Sequence, residues 1–158
     1  QKEGTVTPGT ASGIVDGACS LLIASEEFCS QNKLTPLAEI VDGAVVGVDP
    51  CYMGIGPVDV SRMLLNKTGI SQDEIDLWEI NEAFAMVTLA AIKQLNIPEG
   101  KVNIHGGACA LGHPVGATGA RIITTLIYAL KRLGKKKGVA SLCIGGGEAT
   151  AMALEIVE

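Results

Sequence analysis

Gly106-Gly107-Ala108-Cys109-Ala110-Leu111-Gly112-His113-Pro114 decides how this chain is read, because it joins strand signals to a long helix signal. Before it, Ile75 to Ile80 predicts a strand and Val102 to Ile104 a brief extended piece. After it, Gly116 to Leu133 carries Ile122, Ile123, Leu126, Ile127, Leu130 and Leu133 among small alanines. That pattern predicts a helix apolar nearly all round, buried on most sides and stopped by Gly134. Val139 to Cys143 and Ala149 to Val157 predict two final strands around the turn Gly145-Gly146-Gly147. Strands alternating with helices imply a layered α/β fold, and an antiparallel last pair makes the sheet mixed.

Working outward, residues 1–14 are rich in Gly, Thr and Pro and read as a loop entering a single domain over 15–158. Gly17 to Ala24 is a short apolar run that predicts a buried strand, with Ser25 as N-cap of a short helix opening on Glu26 and Glu27. Ala38 to Val48 predicts a long strand with a bulge at Asp42-Gly43. Pro57 suits the first turn of a helix running to Thr68. Ser71-Gln72-Asp73-Glu74 fits a capping box, and a further helix is expected from Glu82 to Leu95.

Composition excludes several classes. Apolar residues make up 47% of the 158 and charged residues 18%, which argues against disorder. A net charge of −5 with one Trp, two Tyr and two Phe offers neither a basic footprint nor stacking platforms for nucleic acid. No apolar run approaches the ~18 residues of a membrane-spanning helix. Cys19, Cys29, Cys51, Cys109 and Cys143 are odd in number without a CxxC pair, which suits a reducing compartment.

The glycine-rich loop has three chemical readings. Gly107 and Gly112 satisfy the spacing of a phosphate-binding loop, but His113 and Pro114 stand where Lys and Ser/Thr are needed. His105, Cys109 and His113 recur every four residues and, gathered by a loop, would supply N and S ligands for zinc. The third reading is acid/base chemistry. Gly112 permits close approach, Pro114 fixes the exit, and an imidazole near its ordinary pKa of ~6.5 both accepts and donates. Cys143, followed by three glycines, has backbone N–H groups beside its sulfur, and Asn81 in Asn81-Glu82-Ala83-Phe84-Ala85 is also a favoured N-cap.

These three motifs, in this order and spacing, resemble the C-terminal half of the thiolases, and the likeness extends from Gly4-Thr5-Val6-Thr7 to the end. The resemblance implies a five-stranded mixed sheet with helices on both faces, in a molecule built from two such halves. It implies an acetyl-CoA C-acyltransferase that makes or cleaves 3-ketoacyl-CoA such as acetoacetyl-CoA, with coenzyme A thioesters as substrates and no bound cofactor or metal. His113 would activate the nucleophile and steady the enolate oxygen, while Cys143 would move the α-proton. Asn81 would hold a water in one oxyanion hole, and the Gly145 N–H would serve another. Ser12 would touch the pantetheine arm, and Phe84 would line the substrate wall. The cysteine nucleophile belongs to the family's N-terminal half, which these residues do not include, so the isolated chain is expected to be inactive. A homo-oligomer, dimer or tetramer, in the cytoplasm or mitochondrial matrix is implied as well.

His105, Cys109 and Thr10 depart from the commoner family residues, which leaves acyl-chain preference open. A non-catalytic module that binds CoA or a partner remains the alternative. Under the acid/base reading, elemental analysis of the purified chain finds no stoichiometric zinc, and chelators leave its unfolding midpoint unchanged. Near-unit zinc that is lost in His113→Ala would establish the metal reading instead.

Overall fold

A computed structural model describes residues 3–157; the first two residues of the expected entering loop and the last of the expected domain lie outside them. In chain order the elements are α1 (Glu26–Asn32), β1 (Ala38–Gly47), α2 (Gly56–Thr68), β2 (Leu77–Ile80), α3 (Ala85–Leu95), α4 (Ala108–Leu111), α5 (Val115–Leu133), β3 (Lys137–Cys143) and β4 (Glu148–Ile156).

The strands form one mixed sheet in the order β1-β4-β3-β2. β4 is antiparallel to β1 and to β3, whereas β2 and β3 run parallel. Side chains alternate across the sheet, so each strand feeds two cores. Val139, Cys143, Ala149, Ala151 and Ala153 face one side, where Val58, Val60 and Leu64 of α2 and Val87 and Ala91 of α3 cover them. Ala140 and Leu154 face the other side, against Ile122, Leu126 and Leu130 of α5. Helices therefore cover both faces, as the family resemblance implies.

Local chemistry accounts for the ends. Ser25 Oγ accepts from the Phe28 N–H at 3.1 Å and caps α1. The Ser71–Glu74 capping box is present, but it closes only a 3₁₀ turn over Gln72–Glu74, because the chain turns extended at Ile75 towards β2. The β1 bulge falls between Ile40 and Asp42, where Asp42 Oδ1 accepts from Gly43 N–H and Lys67 Nζ, both at 2.7 Å.

Four expectations need correction. The sheet has four strands, not five, because the fifth shrinks to a single bridge between Val102 and Trp78. Asn103 then turns the chain at φ +46°, and its side-chain amide exchanges two 2.8 Å hydrogen bonds with the backbone of Ile80, as a strand would. Residues 17–24 are not a strand: they pair with no other strand, and Leu22 and Ile23 are 92% and 68% exposed. An apolar run becomes a strand only beside a free sheet edge, and none meets this one. The segment lies along α5 instead, with Cys19 Sγ 3.4 Å from Thr124 Oγ1. The helix expected from Glu82 begins at Ala85, so Asn81 is not its cap. Finally, α5 is buried along one face only, leaving Val115, Tyr128 and Leu133 exposed.

The turn after β3 depends on one glycine. Gly147 sits at φ +97°, its carbonyl accepts from the Val48 N–H at 2.7 Å, and any Cβ there would collide with the Val48 carbonyl. Gly145, two residues earlier, has open space around it. Urea unfolding should therefore show Gly147→Ala destabilised by about 1–3 kcal/mol, with Gly145→Ala unchanged within about 0.5 kcal/mol.

Candidate functional site

Parallel strands present their carboxyl ends at one edge, and in open α/β sheets that edge is where ligands bind. Here β2 and β3 end together, with Ile80 opposite Ser141. Asn81 follows β2, while Cys143 closes β3 and leads to Gly145. α5 packs across the same two strands and leads into β3, so its N-terminus, with His113 just before it, returns to this edge. The fold thus brings Asn81, His113, Cys143 and Gly145 to one end of one strand pair.

Asn81 is 1% exposed. Its N–H donates to Ser141 O at 2.9 Å and its carbonyl accepts from Ala83 N–H at 3.0 Å, so a tight turn separates β2 from α3. Arg121 Nη2 reaches its Oδ1 at 3.5 Å, and its Nδ2 is buried without a hydrogen-bond partner.

His113 is held from three directions. Its N–H donates to Gly13 O at 2.9 Å, and Gly112, at φ +88°, has no room for a Cβ beside Val15. Its Nδ1 lies 2.7 Å from Thr118 Oγ1, which donates its single proton to Pro114 O at 3.1 Å. With that proton on Pro114 O the hydroxyl accepts from the ring, the arrangement that carries the ring proton on Nδ1 and the lone pair on Nε2. Burial, and then the charge of Arg121, lower the pKa below the ordinary histidine value. Both effects favour the neutral imidazole.

Cys143 is buried, and burial pushes its thiol pKa up; its own backbone N–H opposes this less strongly. The flanking backbone dipole does not offset that burial. In the turn, Ile144 N–H and Gly147 N–H are spent on Glu148 O and Ile144 O at 2.8 and 3.0 Å. The exposed Gly145 N–H has no protein acceptor among the described residues.

Ser12 and Phe84 reach the same region by a short antiparallel contact. Ala11 bridges Phe84, and both the N–H and the hydroxyl of Ser12 donate to Ala83 O at 3.1 Å. Phe84 packs partly buried against the first core. The trio His105, Cys109 and His113 is not gathered, and no three His, Cys, Asp or Glu side chains among the described residues converge on a metal position. One helical turn, α4, forms inside the glycine-rich loop.

Sequence reading passed over five residues that organise this edge. Glu82 accepts from Cys109 N–H and Asn103 Nδ2, both at 3.0 Å, and fills the space beside Gly107. An acid beside an expected helix start is a signal, though here it serves α4 across the loop. Thr118, Asn103, Arg121 and Glu79 complete the set. Glu79 is 2% exposed, and burial raises its pKa to about 7; Arg121 opposes the shift and Glu82 adds to it. A lone acid in an apolar strand was the available clue.

The sequence and fold match known proteins. The family model described as thiolase, C-terminal domain, matches residues 34–156. The chain is 51% identical over 154 residues to the acetyl-CoA acetyltransferase of Shinella zoogloeoides, covering 98% of this chain and 39% of that protein. It is 50% identical over 155 residues to the mitochondrial 3-ketoacyl-CoA thiolase of Bos taurus, with the same shares of each chain. The crystal structure of the Bacillus anthracis acetyl-CoA acetyltransferase superposes with a TM-score of 0.97 at 50% identity, over 99% of this chain and 40% of that one. Human mitochondrial 3-ketoacyl-CoA thiolase in complex with CoA does so with a TM-score of 0.93 at 43% identity, over 100% and 40%. The chain spans about two-fifths of the length of these relatives. With its family model and its fold in agreement, this chain belongs to the thiolase family and carries its C-terminal domain.

Proposed function

We propose that this domain supplies the proton-transfer and oxyanion groups of an acetyl-CoA C-acyltransferase that forms and cleaves 3-ketoacyl-CoA, acting with a nucleophilic cysteine carried outside these residues. The observation that carries the reading is the His113 ring, engaged at Nδ1 by Thr118 so that Nε2 is left to take a proton, with a pKa that burial lowers. In condensation, Nε2 takes the proton of the nucleophilic thiol, whose sulfur attacks the carbonyl of acetyl-CoA. CoA leaves as a thiolate and takes a proton from Cys143. The Cys143 thiolate then removes an α-proton from a second acetyl-CoA, and the resulting carbanion attacks the acyl-enzyme. A carbon–carbon bond forms, the nucleophilic sulfur leaves, and His113 returns its proton. Both side chains end as they began.

The upward shift at Cys143 suits this sequence, since a thiol that is reluctant to ionise makes a strong base once its proton has gone. The buried Nδ2 of Asn81 and the free N–H of Gly145 are donors suited to the two acyl oxygens. Ser12 and Phe84 would border the pantetheine arm. The exposed Ile14, Leu22 and Ile23, with Val115 of α5, favour coverage by the nucleophile-bearing half and assembly into a homo-oligomer. Five free cysteines favour a reducing compartment, cytoplasm or mitochondrial matrix.

The test is a chimera in which residues 1–158 replace the matching part of the Shinella zoogloeoides acetyltransferase. A folded chimera should condense acetyl-CoA, whereas the isolated chain should neither turn over nor hold an acyl group by intact mass. His113→Ala should suppress both acylation and condensation. Cys143→Ala should still acylate, because a CoA thiolate can leave without a donor, yet lose α-proton exchange with solvent deuterium. A folded chimera without turnover, or equal loss of both steps in Cys143→Ala, would overturn the proposal.

The same chimera should show a pH signature. His113 must be neutral to take a proton, and its pKa is lowered, so the acid limb of acylation should have its midpoint below the ordinary histidine value of 6.5. A midpoint above that value, unchanged in Thr118→Ala, would remove His113 as the base.

A further inference from the structure

Arg121 is a cationic side chain turned into the sheet side of α5, where a cation is costly. Its Nε and Nη1 are buried without hydrogen-bond partners, and no carboxylate lies at ion-pair distance from it among the described residues. Its one hydrogen bond among the described residues runs from Nη2 to Asn81 Oδ1 at 3.5 Å. Packing does not require this arrangement, since an apolar side chain would cover the same strand without burying unpaired donors.

The contact has a directional consequence. A guanidinium carries five N–H donors and no acceptor, so it selects the oxygen end of a neighbouring amide. Asn81 is 1% exposed, with its backbone fixed by Ser141 and Ala83, so the remaining freedom of its side chain is essentially the amide flip. With Oδ1 drawn to Arg121, Nδ2 must face the other way, and it is also buried without a protein partner. Two sets of unspent donors, arranged one behind the other, define a direction.

We propose that Arg121 is a positioning residue for the thiolase site, orienting the Asn81 amide so that its Nδ2 hydrogens point towards the oxyanion end of the bound acyl group. The inference rests on the acyltransferase reading and deepens it. The planar fork is what matters, because an ammonium in the same place would supply charge without fixing a plane. The charged groups of this cluster are Arg121 from α5 and Glu79 and Glu82 from the β2 side. Arg121 opposes the burial of Glu79 and helps keep His113 neutral, so its charge and its geometry make separate contributions that two variants can separate.

The experiment uses the active chimera. Arg121→Lys should lower kcat for condensation by about tenfold or more while KM changes by less than about threefold, as loss of an oxyanion donor requires. Its acid limb should stay in place, because the charge is kept. Arg121→Met should lower kcat similarly and also move the acid limb upward, since the positive neighbour of His113 is gone. Arg121→Lys added to Asn81→Ala should cost no further activity, because Arg121 acts through the amide.

Full activity in Arg121→Lys, or an independent loss in the double variant, overturns the proposal. Should Arg121→Met fail to fold, Arg121→Lys and the double variant still decide it, and unfolding of every Arg121 variant assigns the residue to stability alone. A folded parent chimera without turnover sinks the acyltransferase reading and this inference with it. An active parent indifferent to Arg121→Lys removes only the inference.

Discussion

The hydrogen bond from Asn81 N–H to Ser141 O, at 2.9 Å, carries the parallel β2–β3 ladder one residue beyond Ile80. Everything at the site follows from where that ladder ends. Because the pairing is parallel, both strands finish at the same edge, and the connection between them must cross the sheet. α5 makes that crossing and brings His113 back to the edge. Antiparallel β4 then lets the turn after Cys143 be short, so Gly145 stays beside it. A slip of one residue in the β2–β3 register would turn the side chains of β2 to the opposite face of the sheet.

That edge concentrates polar groups that a domain optimised only for stability would avoid. Glu79, Asn81 and Ser141 are almost fully buried, and Asn81 Nδ2, Ser141 Oγ and two donor nitrogens of Arg121 lack partners. Each such group carries a desolvation cost of roughly 1–3 kcal/mol. Glu79 also ties stability to pH. Its folded pKa of about 7 lies above the ordinary 4.5, so its contribution is fully present below 4.5 and is lost as pH rises through 7. His113 acts in the opposite sense: its lowered pKa contributes stability above 6.5 that is lost as pH falls through the folded value.

Much of the fold can be read from local chemistry. Ser25, the Ser71–Glu74 box, the Asp42-Gly43 bulge and Gly134 all act where their side chains or conformational freedom dictate, within a few residues of themselves. The failures share one cause. Residues 17–24 have strand composition, yet nothing within the run says whether a sheet edge will be there to meet it. Val102 to Ile104 has too little chain before Asn103 turns, so a side-chain amide replaces a strand.

The sequence by itself determined the alternating α/β order and the positions of the three motifs, and it singled out Asn81, His113, Cys143 and Gly145 as candidates through their glycine, proline and strand-ending neighbours together with the family resemblance. Only the tertiary structure decided what state those groups are in. Thr118 engages His113 Nδ1, Arg121 turns the Asn81 amide, burial raises the proton affinity of Cys143, and Glu82 anchors a loop distant in sequence. Tautomer, amide orientation and proton affinity depend on which groups lie within a few ångströms in space, and those neighbours come from elements far apart along the chain.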